Sequence, residues 1–193
     1  MKYFILNILG DHRDRALAFI DHPPTGIGLY SYCMAKGEAA AAHYPTDAKI
    51  YLAPRSPGVK LASFIGNTQS YLIVCTEMKN VISEICNCPL EVLPFTLYNH
   101  KKRIHSKDYW IVNPLGSRDC LNKTASDIEY LDETKKDVVA VEKFVLDAKR
   151  TTNLPDLFRV PEDPKRYFIS ERLGRAFHEK RFSNVLLFEV AQK

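Results

Sequence analysis

Apolar positions along the chain follow two rhythms. Short, nearly unbroken apolar runs occur at residues 2–9, 49–53, 71–75, 90–98, 109–112, 128–131, 138–146, 157–160, 167–169 and 185–190, with lengths and compositions suited to strands. A 3-4-3 rhythm, the stripe of a helix lying on a sheet, links Met78, Val81, Ile82 and Ile85, and a shorter one links Leu173, Ala176 and Phe177. Thr76 and Ser170 stand where each helix begins and are read as its caps. Glu77 and Glu171 follow them in the first turn, where the helix dipole favours an anion. Pro89 stops the first helix.

The chain therefore holds two strand–[Ser/Thr]-Glu–helix–strand units, alike in architecture and nearly without shared residues. Elsewhere, Asp21-His22-Pro23-Pro24 and Gly26-Ile27-Gly28 predict loop, residues 39–42 a short helix ended before Pro45, and Arg55-Ser56-Pro57-Gly58 a turn. Strands outnumber helices, which predicts an α+β fold with a mixed or antiparallel sheet. No Gly/Ser linker or compositional break divides the sequence, so one domain over residues 1–193 is expected.

Composition narrows the class. Of 193 residues, 46% are hydrophobic, which excludes disorder, and no apolar run is long enough for a transmembrane helix. A chain of this length needs neither metal nor disulfide to hold a core. Lys2 followed by an apolar run has the outline of a signal peptide, but Asn7 interrupts it, Asp11 ends it and no small-x-small site follows. Five cysteines (Cys33, Cys75, Cys86, Cys88, Cys120) form no disulfide framework, so a reducing cytoplasm is the expected compartment.

The net charge of +4 is local rather than global. Residues 1–97 carry eight Lys/Arg against eight Asp/Glu, and residues 98–193 carry nineteen against fifteen. Four of those cations fall in His100-Lys101-Lys102-Arg103-Ile104-His105-Ser106-Lys107. The body is otherwise balanced, which disfavours a general nucleic-acid or anionic-membrane surface. The run reads as an exposed hairpin loop between strands ending at Tyr98 and beginning at Asp108. The alternative reading is a cationic contact for an acidic partner, with Lys101, Lys102, Arg103 and His105 as the contact residues. No aromatic alternates with these cations, so single-stranded nucleic acid is not expected.

Catalytic chemistry leaves little trace. The sequence has no Gly-x-Ser-x-Gly elbow, P-loop or His-Glu-x-x-His. Gly26-x-Gly28 lacks a third glycine and reads as a turn. Cys86-x-Cys88 followed by His100 and His105 offers zinc-type ligands at poor spacing, and reads also as helix-end thiols plus solvated histidines. Cys120, beside Arg118 and Asp119, is a candidate thiolate nucleophile or a buried structural thiol. The pairs Asp132-Glu133 and Glu162-Asp163 flank turn-like Thr134-Lys135-Lys136 and Pro164, as solvated turn charge does.

Three stretches resemble a known family. They are Asp108-Tyr109-Trp110-Ile111-Val112-Asn113-Pro114-Leu115-Gly116, continuing through Asp119-Cys120-Leu121-Asn122 to Ser126; Leu157-Phe158-Arg159-Val160; and Phe168-Ile169-Ser170-Glu171-Arg172-Leu173 with the last strand. Leu61-Ala62-Ser63-Phe64-Ile65-Gly66-Asn67 and residues 90–97 fit more loosely. Together, over residues 60–193, they are similar to the eleventh family of bacterial immunity proteins, typically encoded beside polymorphic toxins including type VI secretion effectors. Asn122 departs from the acidic residue of many relatives. The resemblance implies no enzyme and no cofactor. It implies a cytoplasmic protein that binds and neutralises a cognate toxin by stoichiometric contact, with specificity in surface loops and charges. Mimicry of nucleic acid before a nuclease would favour a strongly acidic surface, which this sequence lacks. A small enzyme using an unrecognised Cys/His site and a general adaptor are the alternatives.

Overall fold

The computed structural model describes residues 1–134 and 136–193; Lys135, in the turn read after Glu133, lies outside the described residues. The strands are β1 (Tyr3–Leu6), β2 (Phe19–Ile20), β3 (Lys49–Tyr51), β4 (Gly66–Asn67), β5 (Leu72–Cys75), β6 (Leu90–Tyr98), β7 (Ile104–Pro114), β8 (Asp127–Tyr130), β9 (Val138–Lys143), β10 (Val145–Leu146), β11 (Leu157–Val160), β12 (Asp163–Ser170) and β13 (Leu187–Gln192). The α-helices are α1 (Ser31–Lys36), α2 (Thr76–Ile85) and α3 (Glu171–Glu179). The fold is α+β and strand-rich, as the apolar runs predict. No helix among the described residues is long and apolar enough to cross a membrane.

The two strand–helix–strand units build two sheets on one plan. In the first, β5 and β6 run parallel on either side of antiparallel β7, and β3 adds in parallel outside β6. In the second, β12 and β13 flank antiparallel β1, β10 adds in parallel outside β13, and β11 lies beyond β12. Residues 63–65 take the place of β11 in the first sheet, with Ile65 N–H donating to Ile73 O and Cys75 N–H to Ser63 O, both at 2.9 Å.

The correspondence extends to register. Tyr109 faces Cys75 and Phe95, while Tyr3 faces Ser170 and Val190; in both cases 20 residues separate the two flanking partners. Each tyrosine hydroxyl donates to a carbonyl preceding the outer edge strand, Tyr109 to Ala62 O at 2.7 Å and Tyr3 to Thr151 O at 3.1 Å. The halves differ in one connection. In the first, the central strand β7 follows β6 through a turn; in the second, the central strand is β1, from the other end of the sequence.

Burial follows the alternation along the strands. Leu72, Val74 and Val112 of the first sheet, Leu6, Tyr167 and Ile169 of the second, and Met78, Ile82, Leu173 and Phe177 of the helices share one core. Each fully buried side chain of this size contributes about 1.5–3 kcal/mol. The opposite face of the first sheet (Ile73, Leu93, Ile111) is covered by α1 and its flanking segment, through Cys33, Met34, Ala35 and Ala40.

Four local readings change. Thr76 is not the cap of α2: Cys75 holds that position with φ −67° and ψ 163°, matching Ser170 at −68° and 157°. The Thr76 hydroxyl instead accepts from Trp110 Nε1 at 2.9 Å, whereas Ser170 does cap, accepting from Leu173 N–H at 3.2 Å. The shared Ser/Thr-Glu signature is thus displaced by one residue. The run at 138–146 divides at Phe144 into β9, paired with β8, and β10, paired with β13. The helix read at 39–42 is a 3-10 turn over Ala41–His43, and α1 is an addition. Gly37, at φ +76°, ends α1 in the left-handed conformation that glycine adopts without strain.

Candidate functional site

The basic run lies at the β6–β7 turn. Asn99 builds that turn: its Oδ1 accepts from the N–H groups of Lys101 (2.9 Å) and Arg103 (3.1 Å), and Lys102 takes a left-handed φ of 56°. An Asn side chain replacing backbone acceptors in this way fixes a short turn. Strand pairing resumes at Ile104, opposite Tyr98, so the loop is shorter than the sequence predicts. His105, Ser106 and Lys107 belong to β7 rather than to a loop ending at Asp108, and His105 Nε2 meets Val59 O at 2.8 Å. Lys101, Lys102, Arg103 and Lys107 are exposed, and none forms an ion pair among the described residues. Neighbouring Lys49 and Lys60 are bound to Asp47 (3.0 Å) and Asp14 (3.5 Å).

Register brings apolar side chains beside these cations. Tyr51 pairs with Tyr98, and Tyr98 with Ile104, forming one cross-strand row at the end of the sheet. The Tyr51 and Tyr98 rings lean together, centroids 5.2 Å apart at 32°. Ile104 is 55% exposed, Val59 48% and Tyr51 37%. In the sequence Tyr51 is one position of the strand run at 49–53 with nothing to mark it as a site residue; only the β3–β6 pairing carries it to the turn.

The other candidates do not converge on a reactive centre. Cys86 and Cys88 sit half-buried where α2 ends, their thiols hydrogen-bonded to each other. Strand β6 then separates them from His100 by nine extended residues, about 30 Å of chain. His105 lies beyond the turn against Val59 O, and no group of three or more His/Cys/Asp/Glu is gathered for a metal among the described residues. Cys120 is buried in the core of the second sheet. Burial, with Glu162 and Asp119 nearby, pushes its thiol up to about 12, so it stays protonated at neutral pH. A groove of about 890 Å³ between β9 and the start of β12 contains Glu162 and Asp163. Each is committed to a cation, Lys123 at 2.9 Å and Arg166 at 3.1 Å.

Arg159 is fully buried in β11. Its Nη1 donates to Ala35 O (2.7 Å) and Pro164 O (2.5 Å), and its Nη2 to Met34 O (2.8 Å), Tyr167 Oη (2.6 Å) and Asn113 Oδ1 (3.4 Å). The guanidinium also lies over the Tyr167 ring, 4.1 Å from its centroid. Asn113 Nδ2 in turn donates to Glu91 Oε2 at 3.2 Å, and that carboxylate accepts from Ala40 and Ala41 N–H. This network ties α1 to both sheets, and its place inside the protein makes it structural.

Among the described residues, the turn is exposed, its cations form no ion pair, an apolar row lies beside it, and no metal-type cluster of His, Cys, Asp or Glu is gathered there. No curated protein matches the chain. The model described as Immunity protein family (Imm11) matches residues 12–192, reaching well before the stretches at 60–193 that carry the resemblance. Spanning nearly the whole sequence, that match shows that the chain belongs to the Imm11 family of immunity proteins.

Proposed function

We propose that this protein neutralises a cognate bacterial toxin, of the polymorphic or type VI secretion effector kind, by stoichiometric protein–protein contact in the cytoplasm. Residues 1–193 act as one domain in this reading, with no catalytic step and no cofactor. Membership of an immunity family supports it. The observation that carries the contact is the exposed β6–β7 turn, where Lys101, Lys102 and Arg103 have no carboxylate partner among the described residues. Cations held out in a fixed turn raise the encounter rate with an acidic protein face and repel a basic one. His105, tied to Val59, borders the same patch.

Co-expression with the toxin encoded beside the gene tests this reading. Cells should survive the toxin only when the chain is present, and the two proteins should purify together in equal amounts. Survival without the chain, or no co-purification, refutes neutralisation by binding. Nothing about Cys120 favours the enzymatic alternative, since a thiol held protonated in the core is a poor nucleophile.

A further inference from the structure

We infer that the Tyr51–Tyr98–Ile104 row, with Lys101, Lys102 and Arg103 on its rim, docks an acidic-rimmed apolar face of a protein partner. The inference rests on the immunity reading and assigns it a surface. Its first support is register: three side chains from β3, β6 and β7 stand in one line because Tyr51 opposes Tyr98 and Tyr98 opposes Ile104. Its second is exposure, since Ile104 leaves about half of its surface in water and Tyr51 more than a third. An apolar centre with a charged rim is the anatomy of a specific protein interface, and Tyr and Arg are the residue types that dominate its energetics.

Charge sets the partner's chemistry. Lys49 and Lys60, just outside the patch, are neutralised by Asp47 and Asp14, while the turn's own cations are not. Bringing carboxylates to them therefore breaks no existing ion pair. The Asn99-built turn is already ordered, so little conformational entropy is lost on docking. A single-stranded nucleic acid fits less well, because it is followed along its backbone by an extended basic groove, whereas the excess charge of this protein is confined to one short turn.

The test uses the full chain and an inactivated form of the toxin encoded beside its gene, immobilised for kinetic binding at low and high salt. Ile104→Asp should weaken binding by about thirtyfold, mostly through faster dissociation. The triple change Lys101→Glu, Lys102→Glu, Arg103→Glu should slow association by about tenfold at low salt and less at high salt. Leu131→Asp, at a still more exposed apolar residue after β8, should leave binding within about twofold. All these residues are exposed, so unchanged thermal melting establishes that each variant folds. Wild-type binding that survives both Ile104→Asp and the triple change overturns the surface and leaves the immunity reading intact. A wild-type chain that neither binds nor protects overturns both. Binding of a labelled oligothymidylate that Ile104→Asp abolishes, with toxin binding unaffected, overturns the assignment to a protein partner.

Discussion

Replacing Arg159 with methionine removes a fully buried cation that forms no ion pair among the described residues. Helix α1 ends at Lys36, and its last carbonyls need donors. Cys33 O receives the N–H groups of Gly37 and Glu38, but Met34 O and Ala35 O depend on the guanidinium. Pro164 O depends on it as well. Two buried carbonyls and the half-buried Pro164 O left unpaired cost about 1–3 kcal/mol each, the last at the low end, or about 3–7 kcal/mol together. Against this, the methionine variant no longer keeps a charge in a low-dielectric interior, a relief worth several kcal/mol. A net loss of about 3 kcal/mol follows, and for a chain of this length Tm should fall by about 6–12 °C. Scanning calorimetry reads that change. Hydrogen exchange adds the local signature: amides at residues 33–38 should lose protection ahead of β5–β7, because α1 loses its anchor while the sheet keeps its ladder. Arg159→Lys should recover little, since one ammonium cannot span Met34, Ala35 and Tyr167 at once. A methionine variant that melts within about 2 °C of wild type with unchanged exchange at α1 refutes this account.

Three further outcomes follow from other contacts. Burial works to raise the Asp156 carboxyl, but bonds from Arg172 and Ser170 prevail and hold it below the usual carboxylate range. Its contribution is therefore full above about pH 4 and lost as pH falls further through the folded value, so wild type and Asp156→Asn should converge in Tm at low pH; a constant gap refutes it. Cys86 donates its thiol hydrogen to Cys88, which lowers the Cys88 thiol, while Cys33 and Cys120 are buried. Alkylation with mass mapping should modify Cys88 well before Cys33 or Cys120, and equal rates would contradict the arrangement. Gln192 Nε2 reaches Met1 O at 2.9 Å and Lys2 pairs with Glu189 at 3.0 Å, so a short linker from Lys193 to Met1 gives the second sheet the connectivity of the first. A permutant opened at exposed His12–Arg13 should fold with Tm within about 5 °C of the parent, and an unfolded product would deny the equivalence of the halves.

Elements whose register repeats over many residues were legible in the sequence. β6 spans the predicted residues 90–98, and the stripes of α2 and α3 face the shared core. Short elements carried too few positions to show a period. α1 has six residues, and only the glycine behind it marked an end. Arg159 was hidden for a different reason: Leu157-Phe158-Arg159-Val160 is buried at every position, so alternation along the strand gave no sign that the arginine points into the protein. A charged residue inside an apolar strand was the available signal. At the candidate site the cations were legible as a run, whereas their apolar neighbours were not. Tyr51 reaches Ile104 only through Tyr98, a placement that pairing creates and local pattern does not record.

The borrowed central strand has a consequence for synthesis. Every strand of the first sheet lies within residues 49–114, so that half can close soon after Pro114 leaves the ribosome. β1 is translated before all of it, yet its partners are β12 and β13. At bacterial elongation speeds β1 waits roughly 10–40 s for Val190 to emerge, with an apolar strand unpaired in the meantime. The nascent chain thus has the strands of its first sheet together early, while the core that both sheets share waits for the second. The cationic turn and its tyrosine row belong wholly to the sheet that pairs first, so on a translating ribosome that surface takes shape before the protein beneath it is finished.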